Sequence, residues 1–370
     1  MRVLVDGIIY RLQKVGGISR CFSEQLIRIG NYCSDVKVIL HLPPQCHAPV
    51  PEAKWIYHIK DLNPRIGSTK LNTISMALSK ARAWTLRPQI FHSTYYRLPY
   101  WSNLINIVTV HDFIYEKFSA LFMNAHDFIQ QKRCVIEKAD ALIAVSSSTK
   151  ADILNYTNAK ESSITVINNS VSDTFLTNPP TKEDIHYFLK KYTIDNIYWL
   201  YIGNRCLYKN FGTFLKAFIR IAPNTEGYLV AIGGEDTFES WQIDMIIKSR
   251  LEKRIHLFPA LNDFELKIIY SGAAAFVAPS IAEGFGIPLL EAMACGTPVL
   301  ASDIPVFREI AGDAALFFDP YDEEALAEAM GRVLKDPIKH DLITKGKKQV
   351  KKFSWDFSTQ QLVNVYQSFF

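Results

Sequence analysis

Ala275-Phe276-Val277-Ala278-Pro279-Ser280-Ile281-Ala282-Glu283-Gly284-Phe285-Gly286-Ile287-Pro288-Leu289-Leu290-Glu291 is the stretch on which the reading of the whole chain turns. Its first four residues are a short apolar run, the pattern of a strand buried on both faces. Pro279 and Ser280 end the run, and Gly284 and Gly286 allow unusual dihedrals and close approach of backbone to a ligand. Pro288 suits the first position of a helix, where its missing N–H is not needed. Leu289 and Leu290 are then expected to present free N–H groups, and a helix N-terminus of that kind favours an anion such as a diphosphate. Glu283 stands before the turn, where it can accept hydrogen bonds from sugar hydroxyls. Glu291 lies about one turn into the helix, where it can hold a ribose diol. Gly296-Thr297-Pro298 stops that helix.

Outward from this segment, short apolar runs alternate with helical patterns along most of the chain. Strands are expected at 2–6, 36–41, 89–92, 105–110, 141–145 and 164–167, then at 198–202, 228–232, 255–258, 275–278, 299–301 and 315–318. Helical patterns at 18–29, 68–86, 122–138, 148–156, 210–221, 238–248, 263–271 and 323–334 separate many of them. Such alternation implies an α/β fold of doubly wound parallel sheets covered on both faces. A chain of 370 residues exceeds the roughly 250–300 residues at which a single core stops growing. The break is placed in Val171–Pro180, where two prolines and small polar residues argue for a linker rather than an element. This gives a domain at 1–172, a second at 173–353, and a closing helix at 354–370 expected to pack back onto the first. Ligands of doubly wound sheets bind beyond the carboxyl ends of the strands, so the site is expected in a cleft between the two halves. No repeat of 20–50 residues recurs, which excludes a solenoid.

Composition narrows the class. Hydrophobic residues at 48% and charged residues at 21% exclude disorder. Residues 1–180 hold 20 Lys and Arg against 13 Asp and Glu, while the rest hold 21 against 24, so the net +4 divides into +7 and −3. A basic half suits an anionic partner, such as anionic lipid or a phosphorylated lipid acceptor. Dense basic runs interleaved with aromatics are missing, which argues against nucleic acid. Cys21, Cys33, Cys46, Cys134, Cys206 and Cys295 show no paired-ligand spacing and read as reduced thiols of a cytoplasmic protein. The first residues run straight into a strand without a signal-peptide layout, and no stretch is apolar enough for a membrane span. A cytoplasmic protein, soluble or peripheral to the inner face of the membrane, is expected.

A second segment follows the first strand of the second half: Gly203-Asn204-Arg205-Cys206-Leu207-Tyr208-Lys209-Asn210. Gly203 ends the strand. Arg205 can clamp phosphate oxygens bidentately and Lys209 adds a compact charge, so the pair can neutralise a leaving diphosphate without a metal. In the first half, Val15-Gly16-Gly17 opens a helix, and Thr109-Val110-His111-Asp112 closes a strand, where a neutral imidazole can donate or accept a hydrogen bond and Asp112 can orient it or its neighbours.

Together these segments resemble glycosyltransferase family 4. Glu283, Phe285, Gly286 and Glu291 match its E-x-F-G-x-x-x-x-E motif, followed by the typical Ala292-Met293-Ala294-Cys295-Gly296-Thr297-Pro298. Gly203 to Asn210 is similar to its G-x-x-x-x-K-N stretch, in which an Arg and a Lys bind the donor diphosphate. The resemblance implies the GT-B architecture and transfer of a hexose with retention of configuration from a nucleotide-diphosphate sugar, UDP-glucose first and GDP-mannose next, to a glycan or lipid-linked acceptor of a polysaccharide. It implies that Gly16 and Gly17 reach toward the sugar and phosphate, that His111 contacts the transferred sugar, and that the base lies against Phe258 to Leu261. Donor-binding residues are then Gly16, Gly17, Gly203, Arg205, Lys209, Phe258, Leu261, Glu283, Phe285, Gly286, Ile287, Leu289, Leu290 and Glu291, with His111, Arg205, Lys209 and Glu283 as the catalytic set. Tyr95, Asp112, Tyr115 and Ser146 follow strands and are the acceptor-side candidates.

The charges suggest roles. Arg205, Lys209 and the helix N-terminus at 288–290 stabilise the leaving diphosphate, and Glu283 orients the sugar or acts as nucleophile. Asp-x-Asp does not occur in the chain, which argues against a metal-dependent transferase, and neither metal nor cofactor is expected. Two alternatives share the fold. A UDP-sugar epimerase needs an acid–base set that is not seen, and a non-catalytic sugar-nucleotide-binding subunit would lack Glu283, Arg205 or Lys209. An NAD-dependent oxidoreductase lacks its glycine fingerprint.

Overall fold

The computed structural model describes residues 1–14, 16–61, 69–235 and 237–370, with backbone alone for 69–75. Val15 of the glycine turn and Ser68 of the helical pattern at 68–86 lie outside the described residues. The chain forms two compact units, one of Met1–Ser170 with Ser354–Phe370, the other of Val171–Phe353.

In the first unit seven strands pair in parallel: β1 Arg2–Asp6, β2 Lys37–Leu42, β3 Ile56–Lys60, β4 Ile90–Ser93, β5 Ile105–Val110, β6 Ala141–Ala144 and β7 Ile164–Val166. Their spatial order is β3-β2-β1-β4-β5-β6-β7, so the sheet reverses direction of growth between β1 and β4. Val3 stands opposite Val38 on one side and Ile90 on the other. The apolar strands are sealed because helices cover both faces. One cover is Gly17–Tyr32, whose Phe22, Leu26 and Ile29 fall on one helical stripe and reach the core. Trp355–Gln367 packs in the same cluster through Leu362, Val363 and Tyr366.

One strand departs from the expectation of about six per half. β3 is an edge strand in which Tyr57 and Lys60 face solvent and Ile59 alone is buried, so it lacks the continuous apolar run that marks the others.

The second unit pairs β8 Tyr198–Ile202, β9 Tyr228–Ile232, β10 Ile255–Phe258, β11 Ala275–Ala278, β12 Val299–Ser302 and β13 Ala315–Phe318, again all parallel, in the order β10-β9-β8-β11-β12-β13. Its reversal falls between β8 and β11. Phe211, Phe214, Leu215 and Phe218 of the helix Phe211–Ile221 bury against this sheet. The supposed linker is more structured than expected. Asp173–Leu176 makes a helical turn, and the Lys267 ammonium donates to the carbonyls of Thr174 (2.8 Å) and Thr177 (3.1 Å) and to the Thr177 hydroxyl (2.7 Å). A buried ammonium needs such acceptors, and three suffice to fix the turn.

Candidate functional site

The reversal point of the second sheet brings the two motifs together. The loop after β8 and the turn after β11 lie side by side and are stitched by backbone and amide bonds. The Ile281 N–H donates to the Tyr208 carbonyl at 2.9 Å. Asn210, held at a left-handed φ of 56° that asparagine tolerates, donates its side-chain amide to the carbonyls of Pro279 (3.0 Å) and Pro320 (2.6 Å). The result places the Lys209 ammonium 2.5 Å from the Glu283 carboxylate, which also accepts from the Ser280 hydroxyl at 2.9 Å. Two residues 74 positions apart in sequence thus form one ion pair. It stays partly open, at 23% and 16% side-chain exposure.

Gly286 shows why this turn needs glycine. Its φ is +102°, and a Cβ there would stand 3.0 Å from a ring carbon of Phe307. Strain and crowding both exclude a side chain. The left-handed turn starts the helix at Ile287, one residue before Pro288, and carries the Gly286 carbonyl to the N–H of Leu289 at 3.0 Å. The free donor expected at Leu289 is therefore already used. The side chains of Ile287, Leu289 and Leu290 face the core, and Phe285 is likewise buried, edge-on to Phe353 at 5.8 Å. Glu291 is 4% exposed and accepts from the Tyr270 hydroxyl at 3.0 Å.

Arg205 is anchored on backbone carbonyls. Its guanidinium donates to the carbonyls of Gly233 (2.6 Å), Glu235 (2.5 Å) and Thr237 (2.8 Å) and lies 5.4 Å from the Phe238 ring centroid. It thereby holds the loop after β9. A planar fork with five donors is well matched to converging carbonyls. Gly203 continues the β8–β9 ladder by donating to Ile232 at 2.9 Å. The Phe258 carbonyl is taken by the N–H of Gly233 at 3.0 Å, and its ring packs against Tyr192. Leu261, half-exposed, precedes the capping box of Asn262 and Glu265.

In the first unit, the strand ends gather neutral polar groups. His111 is 6% exposed, edge-on to Phe22, and its buried Nε2 has no hydrogen-bond partner among the described residues. Burial holds this imidazole down to about 4. The Asp112 carboxylate accepts from the Ile114 N–H at 3.1 Å, and its charge partly offsets the effect of burial on His111. Three further groups complete the region: His92, whose segment His92 to Tyr96 the sequence offers as an acceptor-side candidate, and Asp6 and Lys132, to which it gives no role. Asp6 ends β1 fully buried, pushed up to about 6 by desolvation, and accepts from the Thr94 N–H (2.6 Å) and hydroxyl (2.7 Å). His92, driven down to about 3 by burial, bridges the Tyr366 hydroxyl (2.5 Å) and the Thr109 hydroxyl (2.8 Å). Lys132, 1% exposed, donates to the Asp112 carbonyl at 2.5 Å and to Glu116 at 3.0 Å, with the Phe113 ring centroid 3.9 Å away. Of Asp6 and Lys132, the former gave a visible signal by closing an apolar strand.

The remaining acceptor-side candidates serve packing and capping in this structure. Tyr95 stacks on Phe128 at 5.8 Å, and Tyr115 packs against the same ring, tilted, at 4.4 Å. Ser146 caps the helix Ser147–Tyr156 by accepting from the Thr149 N–H at 2.9 Å. Gly16 is the N-cap of Gly17–Tyr32 and Gly17 its first residue, while the Gln13 side chain accepts from the Ser19 N–H at 3.2 Å and so occupies one of the early donors.

Sequence comparison now bears on this arrangement. The family described as glycosyl transferases group 1 matches residues 184–350, and glycosyltransferase family 4 matches residues 15–175. The O-antigen chain mannosyltransferase RfbU of Salmonella typhimurium is 30% identical over 272 residues, covering 74% of this chain and 71% of the relative. The chain is a family 4 glycosyltransferase. Another relative, O-antigen chain mannosyltransferase B of Escherichia coli, is 30% identical over 62% of this chain and 61% of its own length. Among solved structures, sucrose-phosphate synthase of Thermosynechococcus elongatus superposes with a TM-score of 0.79 at 21% identity, covering 100% of this chain and 98% of that one. The glycosyltransferase WaaG superposes with a TM-score of 0.74 at 15% identity over 99% of both. These likenesses establish the fold, which is GT-B, and the group 1 match falls on the unit that carries Lys209 and Glu283.

Proposed function

We propose that this glycosyltransferase moves a hexose from a nucleotide-diphosphate sugar to a glycan or lipid-linked acceptor with retention of anomeric configuration. The observation that carries the reading is the Lys209–Glu283 pair at the switch point of the second sheet, where ligands of such sheets bind. In the reaction the bond between the anomeric carbon and the diphosphate oxygen breaks. The acceptor oxygen bonds to the same face, and its proton passes to the departing β-phosphate. Lys209 and the N-terminal end of Ile287–Ala294 neutralise the charge that develops on the diphosphate. Glu283, released from Lys209 as the ammonium turns to phosphate, accepts hydrogen bonds from the sugar hydroxyls. Arg205 acts one step back, by holding the loop after β9. His111 is neutral at physiological pH and offers Nε2 as a hydrogen-bonding atom without charge. Glu291, tied to Tyr270, is suited to a ribose diol.

Two mannosyltransferase relatives put GDP-mannose ahead of UDP-glucose as the donor to try first, and envelope polysaccharide as the class of product. No helix of the described residues is long and apolar enough to cross a membrane; the basic first half supports peripheral binding to an anionic membrane. The lack of Asp-x-Asp supports turnover without added metal.

A thermal-shift and turnover series tests the reading. GDP-mannose or UDP-glucose raises the melting temperature through mass action, and with octyl α-mannoside as acceptor the product keeps the donor's anomeric configuration by proton NMR, in excess chelator as without it. An inverted product, or sugar isomer formed without acceptor, overturns it.

A further inference from the structure

A cavity of about 350 Å³ in the first unit is lined by Lys80, Arg97, Leu98, Tyr100, Gln131 and Val135. Its two cations stand out by how they are left. Elsewhere among the described residues of this unit, other buried or half-buried cations have partners: Arg28 with Glu24, Lys132 with Glu116, Lys150 with Glu161, and Arg2 with the Arg87 carbonyl. Most unpaired ones, such as Lys14 and Arg82, are exposed to water. Arg97 and Lys80 are half-buried, yet among the described residues neither meets a carboxylate within 4 Å nor donates a side-chain hydrogen bond. The Lys80 ammonium lies 4.6 Å from the Tyr100 ring centroid. Asp6 and Asp61 lie close enough to feel the charge of Arg97, though their hydrogen bonds go to other partners. Asp6 is held by Thr94, and Asp61 by His41 at 3.0 Å and by Ser79. Neither carboxylate pairs with Arg97 directly, so its planar fork keeps donors free to grip a further anion.

The walls specify the rest of the ligand. Leu98 is exposed at 40%, and with Val135 it gives the cavity an apolar side next to the cations. We propose that this cavity binds the phosphate of a phosphorylated acceptor, with the Arg97 fork on two phosphate oxygens, Lys80 supplying a second charge, and Leu98 and Val135 against the organic part. A planar guanidinium grips phosphate bidentately and an ammonium serves as a point charge, so the two residue types are complementary here. The inference rests on the transferase reading only for the word acceptor; phosphate binding is a property of the first unit and needs no turnover.

Calorimetric titration of the full chain decides it, with saturating GDP and UDP present to occupy the donor site. The probes are octyl phosphate below its micellar range and inorganic phosphate. Octyl phosphate binds the wild type, and Arg97→Gln and Lys80→Gln each weaken it at least about tenfold, the loss of a charge-assisted hydrogen bond. Lys14→Gln leaves it unchanged, and Arg97→Lys falls between. Equal binding of inorganic phosphate locates the recognition in the phosphate group; binding of octyl phosphate alone assigns a share to the apolar wall, and either supports the site. Failure of both probes, or binding that ignores Arg97→Gln and Lys80→Gln, overturns it. Nucleotide titration of the same variants shows that they fold, and its failure in the wild type would count against the donor reading instead.

Discussion

At the end of β8, Lys209 meets Glu283 across two loops and both side chains keep some contact with water, whereas at the ends of β4 and β5 the imidazoles of His92 and His111 are sealed from it. The first arrangement stores charge in a form that can be re-paired, because an exposed ion pair is worth little and a stronger anion can displace one partner. The second removes charge by desolvation and leaves dipoles. One sheet end thereby keeps charge that can be re-paired, and the other keeps hydrogen-bonding groups without charge.

The sharpest break of that contrast comes at the buried cation of the first unit. Lys132→Met leaves Glu116 buried without its partner and the Asp112 carbonyl without a donor, and is expected to cost about 3–5 kcal/mol of stability, measured as the urea midpoint. Adding Glu116→Gln should recover part of it; a near-neutral single variant would show that the pair does not hold the 112–116 segment. Next in size, Lys209→Ala should lower kcat about 10²–10³-fold, as loss of one preorganised donor to a developing anion does, while the urea midpoint moves little. A large midpoint change with normal kcat would mean that the open pair is structural after all.

A pH series sharpens the other half. His111 titrates at about 4 in the fold against an ordinary 6.5, so as pH falls the unfolded chain takes the proton first. Stability held above pH 6.5 is then lost between 6.5 and 4. The loss amounts to about 3 kcal/mol, at about 1.4 kcal/mol for each tenfold difference in proton affinity between the two states, and His92 adds in the same direction. Asp6, raised from 3.8 to about 6, opposes them between those values, because the folded state binds its proton first. His111→Gln should flatten the loss by one proton's share in urea titrations at pH 7 and 4.5; an unchanged slope would mean that His111 is charged in the fold. The smallest effect belongs to the surface. Asp356→Ala removes the Tyr32 hydroxyl's acceptor at 2.9 Å and should change stability by less than about 1 kcal/mol, since Leu362, Val363 and Tyr366 hold that helix from the core.

Much of this architecture was legible because parallel strands covered on both faces must be apolar throughout, as Val3 to Val5 and Ala275 to Ala278 are. The edge strand β3 escaped notice for the same reason, since one exposed side relaxes the rule. At the site, Lys209, Glu283 and Gly286 were readable as a charge, a carboxylate and a turn, although their meeting depends on the crossover from β8 to β11. Arg205 was not readable in the same way. Its partners are backbone carbonyls about thirty residues on, and a carbonyl carries no residue identity. Leu289 failed likewise, because the use of its N–H depends on a single left-handed dihedral at Gly286.

The closing helix Trp355–Gln367 has a consequence for how the molecule comes into being. It belongs to the unit begun by Met1, yet the whole of Val171–Phe353 is synthesised before it. The second unit can therefore complete its core without the closing helix, whereas the first still needs Leu362 and Tyr366, without which His92 lacks its hydroxyl partner. A released chain ending at residue 353 is then expected to show protease resistance in residues 171–353 alone.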